Sequence, residues 1–230
     1  MDGNISVRYL QEYIRKKDYS GITNARKLMC EMFENKEYRS SSCMQIIKRQ
    51  FFLDNDLWFH PGIVHEDNPF TFKGMLCAEC ASHVSKAYYL RRVRENSIMT
   101  KQKTFSNSYG YFASFLDMWN VSRQIDYTEE QSDTIAGLLV QMLNSARSSY
   151  RQMESDEKYM FECLDAVERN LFLQLVVNYE RQLLNINRWE KKTFQLEKKL
   201  KKIKMSRSYK FMESFDKFTK RVKQIFYLRR

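Results

Sequence analysis

Apolar positions recur at intervals of three and four along most of this chain, and that spacing predicts helix. Val7, Leu10 and Ile14 mark one amphipathic helix over residues 7–17. Leu28, Met29, Met32 and Phe33 mark a second over residues 25–35. Residues 43–59 fit strand or helix, but Ile46, Ile47 and the run Phe51–Phe52–Leu53 demand burial in either state. The signal sharpens at Asn68, a residue suited to cap a helix whose first position is Pro69, where a missing amide costs nothing. Phe72, Leu76 and Cys80 then share one face, and the helix should stop near Ser82. Aromatic and β-branched content suits residues 83–96 to an extended segment.

Beyond Thr100 the chain reads as helix: an aromatic one over 105–119, one over 128–150 behind an acidic start, and several apolar stripes over 159–189. From Glu190 onward Phe194, Leu196, Leu200, Ile203 and further apolar residues sit among lysines at spacings that read as irregular. No internal repeat or Gly/Ser linker stands out. These shifts divide the chain into residues 1–100, a helical region over 101–187, and a basic amphipathic tail over 188–230.

Composition adds two things. Only 6 Gly and 2 Pro punctuate 230 residues, which favours long helices, and 43% hydrophobic with 29% charged residues is the mix of a folded chain. The net charge of +11 is concentrated at one end: residues 188–230 carry 16 Lys or Arg against 4 Asp or Glu, while the rest carries 23 against 24. No leading apolar run resembles a signal peptide, and the most apolar stretch, residues 171–177, is too short to cross a bilayer. Five cysteines read as reduced thiols. The expected location is cytoplasmic, with peripheral attachment at the inner face of the cell membrane left open.

Candidate chemistry centres on His65-Glu66-Asp67, just ahead of the expected helix. A helix start favours an ionised carboxylate, which serves either as a cap or as a base accepting a proton from a hydroxyl. Cys77, Cys80 and His83, with His60 and His65 upstream, have the composition of a zinc ligand set, but a cysteine pair within a helix reads better as buried thiols. Asp54-Asn55-Asp56 reads as a polar turn. Phe105, Tyr109, Tyr111, Phe112, Phe115 and Trp119 read first as core and second as a sugar-stacking surface. The basic tail fits a helix packed by its apolar residues, or contact with an anionic membrane; nucleic acid is the weakest fit, for want of a reader motif.

Residues 35–41 (NKEYRSS), 46–52 (IIKRQFF), 62–72 (GIVHEDNPFTF), 91–100 (RRVRENSIMT) and 103–115 together resemble the C-terminal, acceptor-side half of bacterial family 2 glycosyltransferases that build capsular or other cell-surface polysaccharides. The resemblance implies a mixed α/β, predominantly helical chain: a partial GT-A fold over residues 1–100, lacking most of the nucleotide-binding half, with a helical C-terminal extension. It implies sugar transfer from a nucleotide-sugar to a saccharide or lipid-linked saccharide, with Asp67 as base and Glu66 beside it. His65, Arg91, Arg92, Arg94 and Ser97 would line the substrate site, with Thr100 a weaker member. No metal ligand is assigned in this chain. A divalent cation, Mg or Mn, is expected only with the missing donor half, and activity from this chain alone is expected to be weak or absent.

Overall fold

The computed structural model describes residues 14–86, 88–89 and 103–205, and within them the chain is almost wholly helical. Eight α-helices follow in order: α1 (Ala25–Glu34), α2 (Arg49–Asp54), α3 (Asp67–Cys77), α4 (Phe105–Ser122), α5 (Glu129–Arg151), α6 (Ser155–Tyr159), α7 (Ala166–Phe172) and α8 (Tyr179–Met205). Short 3-10 turns lie at Ser42–Met44 and Met160–Cys163, and a π-helical stretch spans Leu173–Asn178. Among the described residues the only β pairing is an isolated antiparallel bridge between Asn24 and Cys80.

The expected mixed α/β, partial GT-A fold is therefore overturned, since such a domain needs a sheet. The physical reason lies in the spacing: the described apolar positions repeat with the helical period, and no run alternates long enough to build a strand with a buried face. The described part of the segment expected to be extended, residues 83–86 and 88–89, forms neither helix nor strand. The remainder of that segment lies outside the described residues.

Local chemistry explains the helix starts. Asn24 caps α1 by accepting from the Lys27 amide at 2.9 Å. Thr128 accepts from the Gln131 amide, and the Gln131 side chain returns to the Thr128 amide, closing a capping box at α5. At α4 the Thr104 amide donates to Asn107 Oδ1 at 3.0 Å, and Glu157, distant in sequence, accepts from the Phe105 amide at 2.7 Å. A carboxylate at that end also suits the positive helix terminus.

The residues up to Val177 form one compact unit and Asn178–Arg230 a second. In the first, α4 and α5 pack antiparallel: Met118 clusters with Ile135 and Leu138 at one end, and Phe112 with Leu143 and Ala146 at the other. Met29 of α1 and Phe72 and Leu76 of α3 complete the first cluster. Phe161, Phe172 and Val176 cover the second, with Phe161 and Phe172 stacked at 3.9 Å. Buried Arg147 donates through Nε and Nη2 to the Leu175 carbonyl at 3.0 and 2.8 Å, which satisfies an acceptor within the π stretch. Arg26 does similar work elsewhere, bonding the Leu76 and Asp126 carbonyls at 2.8 Å each.

Some expected boundaries and burials move. Of the helix expected over 7–17, only residues 14–17 are described, and they are not helical. Helix α3 starts at Asp67, two residues before Pro69, and ends at Cys77. Phe72 and Leu76 are fully buried as expected, but Cys80 lies beyond the helix and is exposed. Ile46 is fully exposed and the Phe51–Leu53 run only half-covered, so this short-helix region does not bury its apolar residues. Asp56 has φ +48° in the turn that follows α2, where the polar-turn reading placed it.

Two glycines let elements approach closely. A Cβ at Gly110 would meet the Val64 carbonyl oxygen at 2.2 Å, and one at Gly137 would meet the tip of the Phe33 ring at 2.3 Å. The first obstacle is backbone and cannot rotate away; the second is a side chain. Gly110→Ala should therefore lower stability by about 1–3 kcal/mol despite alanine's better helix propensity. Gly137→Ala should cost less, because the Phe33 ring can move. Parallel thermal or denaturant melts of both variants check the order.

Candidate functional site

The expected site falls where residues 62–67 cross α4. Gly62 at φ +79° and His65 at φ +70° bend the chain sharply here, and the contact at Gly110 brings the Val64 backbone down onto the helix. His65 then lies flat on Tyr111, with ring centroids 3.8 Å apart and planes inclined by 12°. Its carbonyl accepts from the Asn68 amide at 3.1 Å and the Asn68 side chain at 2.9 Å, and lies 3.3 Å from Ser114 Oγ, whose proton has its shorter acceptor in the Gly110 carbonyl at 2.7 Å. Asn68 thus closes the turn behind α3 rather than capping the helix from in front.

The surroundings of the His65 ring favour its neutral form. Asn107 Oδ1 is taken by the Thr104 amide, so its Nδ2 faces His65 Nε2 at 3.5 Å. An acceptor role at Nε2 requires the neutral ring with its proton on Nδ1. Burial pushes the His65 pKa down to about 4, and the charge of Lys103 pushes the same way.

Glu66 and Asp67 stand side by side at the start of α3, both half-buried. Burial raises the Asp67 pKa above the ordinary aspartate value, and the neighbouring Glu66 charge adds to the rise. Two phenols feel Asp67: Tyr38 and Tyr111 are both held protonated, chiefly by burial and secondarily by that carboxylate. The Tyr38 hydroxyl is buried without a hydrogen bond of good geometry, although Ser40 lies near. Among the described residues, no side-chain hydrogen bond joins either carboxylate to a second titratable group. The cluster holds a neutral imidazole, two protonated phenols and an acid resisting ionisation, an arrangement that anchors a loop.

Of the other expected site residues, Arg91, Arg92, Arg94, Ser97 and Thr100 lie outside the described residues. His60 sits apart from His65, its Nδ1 2.7 Å from Asp117 Oδ2 on α4. His83 stands edge-on to Tyr19 at 5.7 Å. Among the described residues no group of three or more His, Cys, Asp or Glu is placed to hold a metal ion, and all five cysteines are free. A cavity of about 280 Å³ is lined by Asn24, Arg26, Cys77, Ala78, Glu79 and Gln131, away from the acidic pair in sequence. The aromatic set on α4 is mostly core: Phe112 is fully buried, Phe105, Tyr109, Tyr111 and Phe115 pack against the clusters, and Trp119 remains 46% exposed. The sequence reading missed Gly110, Asn107 and Ser114, whose only signal was a run of small and polar residues inside an aromatic helix.

The second candidate surface is α8. Every described side chain from Lys191 to Lys202 is exposed, including Phe194 at 66%, Leu196 at 55% and Leu200 at 50%. Among the described residues no helix is long and apolar enough to cross a membrane.

Compared with protein-family models, curated proteins and solved structures, the chain matches none. With no sheet among the described residues, the resemblance to family 2 glycosyltransferases fails at the fold. The sugar-transfer function, and its assignment to polysaccharide biosynthesis, falls with it.

The loop has a pH signature. His65 titrates near 4 when folded and near 6.5 when unfolded, so the unfolded chain binds more protons between those values. Its neutral-ring contribution is complete above about pH 6.5 and disappears as pH falls towards 4. Asp67 runs the other way: its raised folded pKa makes ionisation costly at neutral pH, and acidification through that pKa relieves the cost. Denaturant melts from pH 7 to 4 should show a shallower loss of stability in His65→Gln. Asp67→Asn should be more stable than the parent at pH 7, with the gap closing in acid.

Proposed function

We propose that this chain is a helical interaction module that attaches to an anionic membrane surface through the basic face of α8. The observation that carries this reading is the exposed arc of that helix. At roughly 100° per residue, Lys191, Phe194, Lys198, Lys201, Lys202 and Met205 fall within about 100° of one another. All six are exposed, with Phe194 at 66% and Met205 at 65%. Four ammonium groups flanking two flexible apolar side chains match the headgroup region of a bilayer, where lysines meet lipid phosphates while apolar groups dip below them. Each lysine near an acidic surface contributes about 1 kcal/mol, so four supply attachment without a spanning segment.

The remaining sequence charge supports the same reading, because the excess of Lys and Arg over acids continues from Arg207 to Arg230. Nucleic acid would also attract these lysines through its phosphates, but the sequence carries no reader motif and the face interleaves ammonium groups with apolar ones.

Co-sedimentation of the full chain with vesicles provides the test. Retention by vesicles rich in phosphatidylserine should exceed retention by neutral phosphatidylcholine vesicles and should weaken as salt rises. Lys191→Glu, Lys198→Glu and Lys201→Glu together should reduce anionic-vesicle binding by roughly tenfold or more. Equal retention by neutral and anionic vesicles, or binding unchanged in the triple variant, would sink the proposal.

A further inference from the structure

Once α8 is known to run unbroken from Tyr179 to Met205, the spacing of its apolar residues takes on an order that the sequence alone concealed. Ile186, Thr193 and Leu200 recur every seven residues, and so do Trp189, Leu196 and Ile203, three residues behind them. These are the a and d positions of a heptad repeat, sustained for two and a half heptads and about 27 Å of helix. Thr193, Leu196 and Leu200 on this seam are exposed. The seam lies on the side of α8 opposite the lysine arc described above.

We infer that α8 pairs with α8 of a second copy of this chain as a short parallel coiled coil. A 27-residue helix takes most of its stability from packing an apolar face, and every described side chain from Lys191 to Lys202 faces solvent. A partner supplying an identical seam covers the exposed Thr193, Leu196 and Leu200. The flanking charges select the partner and its direction. Lys192 and Lys199 occupy g positions, whereas Glu190 and Glu197 occupy e positions.

In a parallel pair each g residue faces the e residue five positions later on the other helix, so Lys192 meets Glu197 twice by symmetry. An antiparallel pair sets g against g and e against e, bringing Lys192 against Lys199 and Glu190 against Glu197. The parallel arrangement also sets the g position Lys199 against the e position 204, another lysine, likewise twice by symmetry. That contact and the polar Thr193 at an a position keep the association weak and fix its register. Pairing uses the seam and leaves both lysine arcs outward on opposite sides of the pair, so it does not cover the surface proposed to meet a membrane.

Sedimentation of the full chain without lipid, over a range of concentrations, tests the pairing independently of vesicle attachment. The apparent mass should rise towards twice that of one chain and fall back in Leu196→Asn with Leu200→Asn. Both positions are exposed, so far-UV circular dichroism should show the first unit still folded. Direction is read from charge reversal. Glu197→Lys should weaken the dimer by roughly threefold to tenfold, and adding Lys192→Glu should restore it. Lys204→Glu should tighten it. Tightening by Glu197→Lys would indicate the antiparallel pair and overturn the parallel assignment. A single-chain mass at every concentration, unchanged by the seam substitutions, would overturn pairing altogether. A dimer that ignores anionic vesicles would refute the membrane reading while leaving the pairing intact.

Discussion

The absence of a Cβ at Gly110 is the constraint from which the organisation of residues 62–67 follows. A methyl group there would lie 2.2 Å from a backbone oxygen, well inside van der Waals contact, so only glycine admits the Val64 carbonyl to the helix surface. Seating that one peptide places His65 over Tyr111 and its carbonyl within reach of Ser114. The same bend delivers the chain to the start of α3, whose Phe72 and Leu76 then complete the cluster between α1, α4 and α5. A close backbone approach at one residue thus fixes the entry angle of a helix contributing two fully buried side chains. The strained φ of His65 persists because the stack and the two Asn68 hydrogen bonds to its carbonyl hold it.

The acidic pair takes its character from that packing. A carboxylate at a helix start is ordinarily favoured in its ionised form by the unpaired amides. At Asp67 the opposite direction prevails, because burial and the adjacent Glu66 charge together outweigh the helix end. The two phenols within range of its charge lose acidity rather than gain it. His65 is neutral for the same reason. Burial disfavours the charged forms of both His65 and Asp67, which suits a packed junction between elements.

Much of the helical content was legible from spacing alone. The helices expected over 105–119 and 128–150 correspond to α4 and α5, whose long apolar stripes outweigh any local ambiguity. Short elements were harder: Ile46 looked like core because apolar character was read without a period, and the structure leaves it in solvent. The site was legible only as a location. Glu66 and Asp67 stand at the helix start that spacing indicates, but the contacts of His65, with Asn107, Tyr111 and Ser114, come from about forty to fifty residues away on α4. Burial set by such distant contacts, rather than local spacing, decides the protonation of the cluster. Motif likeness over residues 35–115 points to a sheet, whereas the helical repeat of the described apolar positions points away from one. A likeness of short segments carries no information about whether a sheet can form, whereas the helical repeat does.

The two units solve the burial problem in different ways. Up to Val177, apolar surface is removed from water within the chain: Phe161 stacks on Phe172, Phe112 meets it edge-on, and Arg147 satisfies the carbonyl that the π stretch leaves over. On α8 the described apolar residues from Phe194 to Met205 are exposed. Charge accounts for the difference. An element in which 9 Lys or Arg and 3 Glu share 27 positions has few residues left for a core-facing side, and its lysines resist desolvation. Such a helix keeps its ammonium groups hydrated, and apart from Phe194 and Met205 among the lysines its described apolar residues keep to a narrow line along one edge. A line that narrow is too thin to pack into a globular core, where a stripe wider than about 100° is usual, but it is the width that a two-stranded seam requires. The lysines from Lys191 to Lys202 therefore leave the exposed Leu196 and Leu200 to a partner able to match a single line of side chains.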